Sequence, residues 1–255
     1  MPHEPPPLSN NMLLARLTPR ELRRVQAVCQ FVELSQGAIV CEEGKAIEMA
    51  YFPLSNVFSS LMVENHRMVE TCVTGIEGMI GSPLAVDIHM PSPTQIEQQV
   101  TGDAIAIPAA QFVKILQEIP HLKLIVTRFA QTLIFQSGLA VLCFRSHTVD
   151  RRLARWLLET VDRCGRSDIQ LKQQYLAAMI GVCRSYVNQH VQALHEEEMI
   201  EHRRGRIVIR DFTKLEAKAC PCYARNRRRY QEFMKLTAPK LKDGLFGEGG
   251  GELNG

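Results

Sequence analysis

The stretch YLAAMIGVCRSYVNQHVQALHEEEMIEHRRGRIVIRD, residues 175–211, holds two short segments with helical apolar periodicity that meet at Gly181. Gly181 stands where the end of a helix favours a left-handed residue, so the chain is expected to turn there. The second segment predicts a helix from about Arg184 to Glu197, with its inner side formed by Val187, Val191 and Leu194. Two short helices joined by a tight turn are typical of a helix-turn-helix.

The outer face of the second helix carries side chains that can pair with base edges. Arginine can donate to O6 and N7 of guanine together, and asparagine or glutamine can pair with N6 and N7 of adenine. When a helix-turn-helix binds DNA, such side chains lie near the N-terminus of the second helix, in the major groove. The residues that we expect to contact bases are Arg184, Ser185, Asn188 and Gln189.

The segment EHRRGRIVIRD predicts a β-hairpin that turns at Gly205, with Arg203, Arg204 and Arg206 at its tip. Positive charge there suits contact with backbone phosphate. Residues 146–232 carry 17 Lys and Arg against 11 Asp and Glu, although the whole chain has a net charge of only +3. A basic C-terminal half predicts double-stranded DNA as the partner. Each feature alone also fits an ordinary packing unit with a solvated polar face, and their conjunction favours DNA binding.

The N-terminal part predicts a different architecture. Thr18, Pro19 and Glu21 mark the start of one short amphipathic helix. Between Gly37 and Pro108, glycine and proline recur every several residues with short β-rich pieces between them. Because each short strand must turn before it pairs again, this spacing predicts an antiparallel sandwich or jelly roll.

Two helices follow the strands, opened by Pro108 and Pro120, and the second reaches about Arg145. Its apolar side chains recur at 4-3 spacing over about three heptads, which is typical of a helix that pairs with a second copy. A helix packed on its own domain could show the same stripe. The residues expected in a dimer seam are Leu122, Val126, Phe129, Leu133, Gln136 and Ala140.

Five pieces of the chain together resemble the Crp/Fnr family of bacterial transcription regulators: GAIVCEEG, GIEGMIGSPL, HTVDRRLARWLL, LAAMIGVCRSYVNQHVQAL and RGRIVIRD. The resemblance implies an α+β fold. Residues 1–119 would form an N-terminal helix and a cyclic-nucleotide-binding-type β-roll (jelly roll), residues 120–145 a long dimerisation helix, and residues 146–218 a winged helix-turn-helix domain. Residues 219–255 would form a C-terminal extension that is disordered at its end.

The resemblance also implies a homodimer that binds a palindromic operator and acts on RNA polymerase. By position in the motif, Arg184, Ser185 and Gln189 fall where family members place their main base-contacting side chains. An alternative interpretation is a ligand- or redox-responsive module that acts on a protein partner without sequence-specific DNA binding. An enzyme is not expected, because no nucleophile, base and orienting residue occur at motif spacing.

No cofactor is expected in the roll. Family members that bind cyclic AMP use a Gly-Glu turn followed by an arginine that grips the phosphate. This chain has Gly78-Met79 and Gly81-Ser82 instead, and no arginine lies between residues 67 and 128. Because an anion in a roll needs an opposed cation, we expect that the roll does not bind cyclic nucleotides.

The eight cysteines are expected to be reduced thiols, because they are spread too widely for a disulfide scaffold. Only Cys29 and Cys41 precede Cys72, whereas iron-sulfur members carry a close N-terminal cysteine cluster. Cys220-Pro-Cys222 is a close pair without a second pair or a nearby histidine motif, so no metal site is predicted.

Cys183 lies in the predicted turn, beside Arg184 and at a helix N-terminus, two features that lower the pKa of a thiol. It is a candidate redox site, because oxidation would add negative charge near DNA phosphate. A small buried filler is the alternative. The N-terminus MPHEPPPLSN lacks the regions of a signal peptide, and no apolar run reaches roughly 20 residues. A cytoplasmic protein without membrane contact is therefore expected.

Overall fold

The computed structural model describes residues 6–65, 67–170, 173–203 and 205–237. Two single 3₁₀ turns, Leu8–Asn10 and Leu14–Arg16, precede helix α1 (Pro19–Gln26). The expected helix start is confirmed: the Thr18 hydroxyl accepts from the backbone N–H of Glu21, and the Glu21 carboxylate accepts from the backbone N–H of Thr18 at 2.8 Å. These reciprocal bonds fix where the helix begins.

Seven strands form the roll. One sheet has the order β1-β7-β3 and the other the order β2-β6-β4-β5, and every pairing is antiparallel. Phe58 and Ile96 of the larger sheet are buried against Leu34 and Tyr51 of the smaller one, so the two sheets enclose a common core. The strands are β1 Gln30–Leu34, β2 Ile39–Cys41, β3 Met49–Pro53, β4 Val57–Glu64, β5 Arg67–Thr74, β6 Gln95–Val100 and β7 Gly102–Pro108.

Helices α2 (Ala109–Glu118) and α3 (Pro120–Ser146) follow the roll and share an apolar core with its smaller sheet. By length and composition alone, α3 could cross a membrane, and no other helix in the described ranges passes that test. One side of α3 packs on the roll of the same chain, as is typical of a core helix.

The prediction of a dimer seam is wrong for those residues of the stripe that the roll buries. Leu122, Val126 and Phe129 are fully buried in a cluster with the roll, and Gln136 is 9% exposed. Leu133 and Ala140 are half-buried on the same side. The 4-3 stripe therefore reflects a helix packed on its own domain, because contact with the roll selects apolar residues at the same spacing as contact with a second helix.

The opposite side of α3 carries a second stripe, which we call the outer stripe. Its apolar members include Leu124, Ile134 and Val141, which are 46%, 66% and 72% exposed. A Cβ atom added at Gly138 would meet no atom of the described residues within 4 Å. The outer stripe recurs at 3-4 spacing through residues 124, 127, 131, 134, 138, 141 and 145.

The C-terminal part begins with α4 (Val149–Cys164), which a connection of two residues joins to the end of α3. Strands β8, β9 and β10 form a small antiparallel sheet in the order β8-β10-β9. The remaining elements are β8 Asp168–Gln170, α5 Gln173–Ile180, α6 Arg184–Glu196, β9 Ile200–Arg203, β10 Arg206–Ile209, α7 Phe212–Lys218 and α8 Cys222–Leu236.

Helix α8 returns to the N-terminal half. Phe233 is buried and its ring lies 6.2 Å from that of Phe129 on α3. The Tyr230 hydroxyl donates to the Glu77 carbonyl at 2.7 Å, and the Asn226 amide donates to the Glu159 carboxylate at 3.0 Å. This part of the C-terminal extension therefore joins the roll, α3 and α4. The tail expected to be disordered lies outside the described residues.

Candidate DNA-binding surface

The turn between α5 and α6 depends on Gly181. Its φ is +73°, and its N–H donates to the Ala177 carbonyl at 2.9 Å. The N–H of Val182 donates to the same carbonyl at 3.1 Å, so the last turn of α5 is closed before the chain changes direction. A Cβ at position 181 would lie 3.1 Å from the Phe144 ring, which shows that the turn packs against the end of α3.

Helix α6 separates an apolar side from a polar side as its sequence predicts. Val187, Val191 and Leu194 are at most 1% exposed and pack in the core of the C-terminal part. Arg184, Ser185 and Gln189 are exposed. The helix thus presents its N-terminal turns to solvent while its inner side is fixed by packing, which is the geometry needed to enter a major groove.

Asn188 differs from the expectation. It is half-buried, and its Oδ1 atom is buried without a hydrogen-bond partner in the described part of the chain. Tyr186, by contrast, is 44% exposed and was missed as a surface residue of the recognition helix. Its ring meets that of His190 edge-on at 4.7 Å. The i, i+4 spacing of these two rings was the signal in the sequence.

The wing is formed by β9 and β10, which turn at Gly205 with φ +78°. Arg203 is exposed, with its side chain 83% accessible, and its Nε lies 3.4 Å from the Glu201 carboxylate. Arg206 is exposed but paired with Asp168 of β8, to which its Nε donates at 2.6 Å. Arg204 lies outside the described residues.

Because its guanidinium already pairs with Asp168, Arg206 must break this ion pair before it can bind a phosphate. The pair raises the pKa of Arg206 through the hydrogen bond and the charge of Asp168. Exposed ion pairs contribute little net stability, so a phosphate could take the place of the carboxylate. Strand β8 was missed because three residues, Asp168–Gln170, are too few for a periodic pattern.

Cys183 is exposed and is the N-cap residue of α6. Its Sγ lies 3.3 Å from the Ser185 hydroxyl. That hydroxyl, together with the Tyr186 N–H, holds the pKa of the Cys183 thiol below its ordinary value. The lowered pKa agrees with the sequence-based expectation. Its cause is hydrogen bonding by groups in the first turn of α6 rather than the charge of Arg184. The alternative of a buried filler is wrong for this residue.

A second set of polar contacts joins α4 to the roll, and we call it the docking interface. The Trp156 indole donates to the Glu70 carboxylate at 2.9 Å, and the Ser59 hydroxyl donates to its other oxygen at 2.6 Å. Arg163 Nε donates to the Glu77 carboxylate at 3.0 Å. Sequence reasoning missed these groups, because nothing local distinguishes a buried carboxylate from an exposed one.

Burial raises the pKa of Glu70 to about 7, although the Ser59 hydroxyl, the charge of Arg155 and the Trp156 indole act in the opposite direction. Burial also raises the pKa of Glu77 against the charge of Arg163. The docking interface therefore holds two carboxyl groups whose ionised forms are disfavoured by loss of water.

A small cavity lies in the described part of the roll, beside the Gly81-Ser82 turn. It has a volume of about 70 Å³ and is lined by Gly81, Ser82 and Thr74 together with Leu133 of α3. Sites for small organic ligands usually measure about 300–1,000 Å³. Its lining includes no arginine or lysine.

Residues 151–218 match the family model of the Crp-like helix-turn-helix domain. This part of the chain is therefore similar to Crp-like helix-turn-helix domains. The match spans α4 to α7, and therefore includes the turn at Gly181, the recognition helix α6 and the wing. No curated protein matches the chain by sequence.

The fold of most of the chain is similar to that of solved Crp/Fnr regulators. The chain is similar to a transcriptional regulator of the Crp/Fnr family from Eubacterium rectale, with a TM-score of 0.58 and 16% identity over 82% of this chain and 98% of that one. It is also similar to FixK2 from Bradyrhizobium japonicum, with a TM-score of 0.59 and 12% identity over 76% and 98%. The c-di-GMP-responsive regulator CLP from Xanthomonas campestris gives 0.59 and 13% over 75% and 99%. The expected α+β fold class is confirmed.

Proposed function

We propose that the protein is a sequence-specific DNA-binding transcription regulator. The observation that carries the proposal is the N-terminal half of α6, where Arg184, Ser185 and Gln189 are exposed on a helix whose other side is fixed in the core of a Crp-like domain. Arginine and glutamine at such a position can pair with guanine and adenine edges. The exposed Arg203 of the wing would contact phosphate.

The regulator acts as a homodimer, and the outer stripe of α3 is the surface that joins the two copies. Exposed Leu124, Ile134 and Val141 are apolar, and Gly138 allows a second helix to approach closely. Burying such side chains contributes about 25 cal/mol per Å² of apolar surface. Two-fold symmetry then requires a palindromic operator, with half-sites about 34 Å apart.

The signal is not a cyclic nucleotide. The cavity of about 70 Å³ in the roll is too small for a nucleotide, and its lining offers no cation to a phosphate. The protein works in the cytoplasm on DNA and, as a regulator of this type, on RNA polymerase.

Selection from random duplex DNA with the reduced protein tests the proposal. We expect enrichment of a palindrome whose half-sites are one helical turn apart. Ile134→Asp should remove dimerisation, which sedimentation would show as a protomer mass, and should leave only isolated half-sites in the selected pool. Ile39→Asp is the matched control, because Ile39 is 52% exposed and lies on β2 rather than on α3. Recovery of no motif by the wild-type protein would contradict the proposal.

A further inference from the structure

Three cysteines from distant parts of the chain meet at one buried place. Cys143 lies near the end of α3, and Cys220 and Cys222 flank Pro221 at the start of α8. Their Sγ atoms all lie within 4.8 Å of one another, and those of Cys143 and Cys220 are 3.5 Å apart. Each of the three residues is at most 2% exposed. The sequence showed only the Cys220-Pro-Cys222 pair, because 77 residues separate Cys143 from Cys220.

The distances suit a metal ion bound by three thiolates. Around a tetrahedral ion with metal–sulfur bonds of about 2.3 Å, neighbouring sulfurs lie about 3.8 Å apart. The Cys143 and Cys220 sulfurs, 3.5 Å apart, are close to that spacing, and the other two separations are at most 4.8 Å. Small side-chain rotations would therefore close the cluster around an ion. Thiolates select soft ions such as Zn²⁺ and Cu⁺ over Mg²⁺ or Ca²⁺.

The surroundings offset the charge of such a complex. Three thiols that bind one ion release three protons to solvent, so the complex carries one negative charge with Zn²⁺ and two with Cu⁺. Arg152 and Arg155 on α4 are close enough for their charges to interact with Cys143 and Cys220. The Nε atoms of both arginines are buried without a hydrogen-bond partner among the described residues.

Buried donors without partners are uncommon in folded proteins. Sulfurs bound to a metal accept hydrogen bonds from surrounding groups, and such outer contacts orient the ligands. Helix α4 already lies against the cluster, because the Cys220 N–H donates to the Arg151 carbonyl at 3.2 Å. Arg152 is thus placed to compensate an anionic thiolate complex, and Arg155 can donate its Nε–H to a thiolate while its Nη1 pairs with the Glu159 carboxylate at 2.6 Å.

We propose that Cys143, Cys220 and Cys222 form a binding site for a thiophilic d¹⁰ metal ion, Zn²⁺ or Cu⁺. The ion fastens the start of α8 to the last turns of α3, next to the two-residue connection from α3 to α4. The site stands independently of DNA binding. The bound ion cross-links α3 to α8 next to the Crp-like domain.

Titration of the full-length, metal-free protein with Co²⁺ tests the site, in a thiol-free reductant and without oxygen. We expect one Co²⁺ per protomer with a sulfur-to-cobalt charge-transfer absorption, and loss of that absorption when Zn²⁺ is added. In separate arms, Zn²⁺ and Cu⁺ bound per protomer are measured after desalting, which identifies the preferred ion. Cys143→Ser and Cys220→Ser should each reduce the absorption at least about tenfold.

Cys164→Ser is the matched control, because Cys164 is a buried thiol outside the cluster whose Sγ lies 3.3 Å from the Arg166 carbonyl. It should keep the full absorption. The proposal is overturned if the wild-type protein gives no charge-transfer absorption, or if Cys143→Ser keeps it. A Cys143–Cys220 disulfide that forms in place of metal binding, seen as a loss of two mass units, would also overturn it. The wild-type titration decides the question even if a variant does not fold.

Discussion

The recognition helix α6 and the docking interface on α4 use similar side chains in opposite ways. Arg184 on α6 is exposed, and no ion pair of its side chain occurs in the described part of the chain. Arg163 on α4 is 7% exposed, and its guanidinium donates to the Val73 carbonyl, the Glu77 carboxylate, the Glu159 carbonyl and the Gln136 amide oxygen.

Arg163 thus stabilises the fold, whereas Arg184 remains available to bind a partner. A buried arginine must satisfy its donors within the protein, because an unpaired buried charge is costly. An exposed arginine keeps its donors hydrated and can exchange water for a base edge. Substitution of Arg163 should therefore change stability, and substitution of Arg184 should change specificity.

The largest effect is expected for Arg163→Ala. Its removal leaves the buried Glu77 carboxylate without its cation, and loss of one partner from a buried pair usually costs about 3–5 kcal/mol. Urea unfolding followed by circular dichroism should show this decrease in the free energy of unfolding. Arg225→Ala is the control, because Arg225 is exposed on α8 and surface substitutions usually change stability by less than about 0.5 kcal/mol. A loss below about 1 kcal/mol for Arg163→Ala would contradict the assignment.

Glu70→Gln should change how stability depends on pH. The pKa of Glu70 is about 7 in the folded protein against an ordinary value of 4.5, so the folded state binds this proton more tightly. The resulting stabilisation is complete below about pH 4.5 and is lost as the pH rises through about 7, with a total of roughly 3 kcal/mol. Glutamine cannot ionise and should remove that part of the pH dependence.

The measurement is urea unfolding at pH 5 and pH 8 for both proteins. Trp156 is the single tryptophan and donates to Glu70, so its fluorescence reports the docking interface directly. Arg155, Glu159 and Glu77 also contribute charges there, and both proteins contain them. The difference between wild type and variant therefore isolates Glu70. Equal slopes with pH for the two proteins would show that Glu70 titrates near its ordinary pKa.

Arg184→Ala tests the other side of the comparison. It should leave stability within about 0.5 kcal/mol of wild type and lower discrimination at one base pair per half-site by about 1–3 kcal/mol. Arg203→Ala removes the same charge from the wing, and should weaken binding to all sequences and flatten its dependence on salt. Binding of each variant to the selected operator and to its point variants gives both quantities. An equal loss on every sequence for Arg184→Ala would assign it to phosphate instead.

The elements with strong local signals were predictable from the sequence. Thr18 with Glu21 determines the start of α1, Gly181 determines the turn before α6, and Gly205 determines the wing. Each depends on backbone conformations or capping bonds that involve few neighbouring residues. The positions of these three features therefore depend little on tertiary contacts.

The features that depend on distant contacts were not predictable. The stripe through Leu122 and Phe129 was assigned to a second copy, since spacing shows which side of a helix is apolar and not what covers it. The pairing of Arg206 with Asp168 was not visible in the sequence, because Asp168 lies on a strand 38 residues away. Cys143 joins Cys220 through tertiary contacts alone.

Oxidation of Cys183, the exposed N-cap residue of α6, is expected to have the smallest effect on DNA binding. The Ser185 hydroxyl lowers the pKa of this exposed thiol, which favours the thiolate, the form that reacts with peroxide. One hydrogen peroxide converts the thiolate to sulfenate and water, and a second converts the sulfenate to sulfinate and water. The sulfinate carries a negative charge close to where DNA phosphate would lie, and screening by salt limits the repulsion.

We expect peroxide to weaken operator binding by the wild-type protein by a factor on the order of three to ten at low salt, measured by fluorescence anisotropy, because the repulsion acts across solvent. Cys183→Ser should show no change. Cys29→Ser is the matched control, since burial raises the pKa of the Cys29 thiol and its loss should leave the response intact. Mass spectrometry must find the added oxygens on Cys183. If oxidised wild type and oxidised Cys183→Ser bind equally well, the exposed end of α6 is not a redox site, and its cysteine serves only as the cap position of the helix.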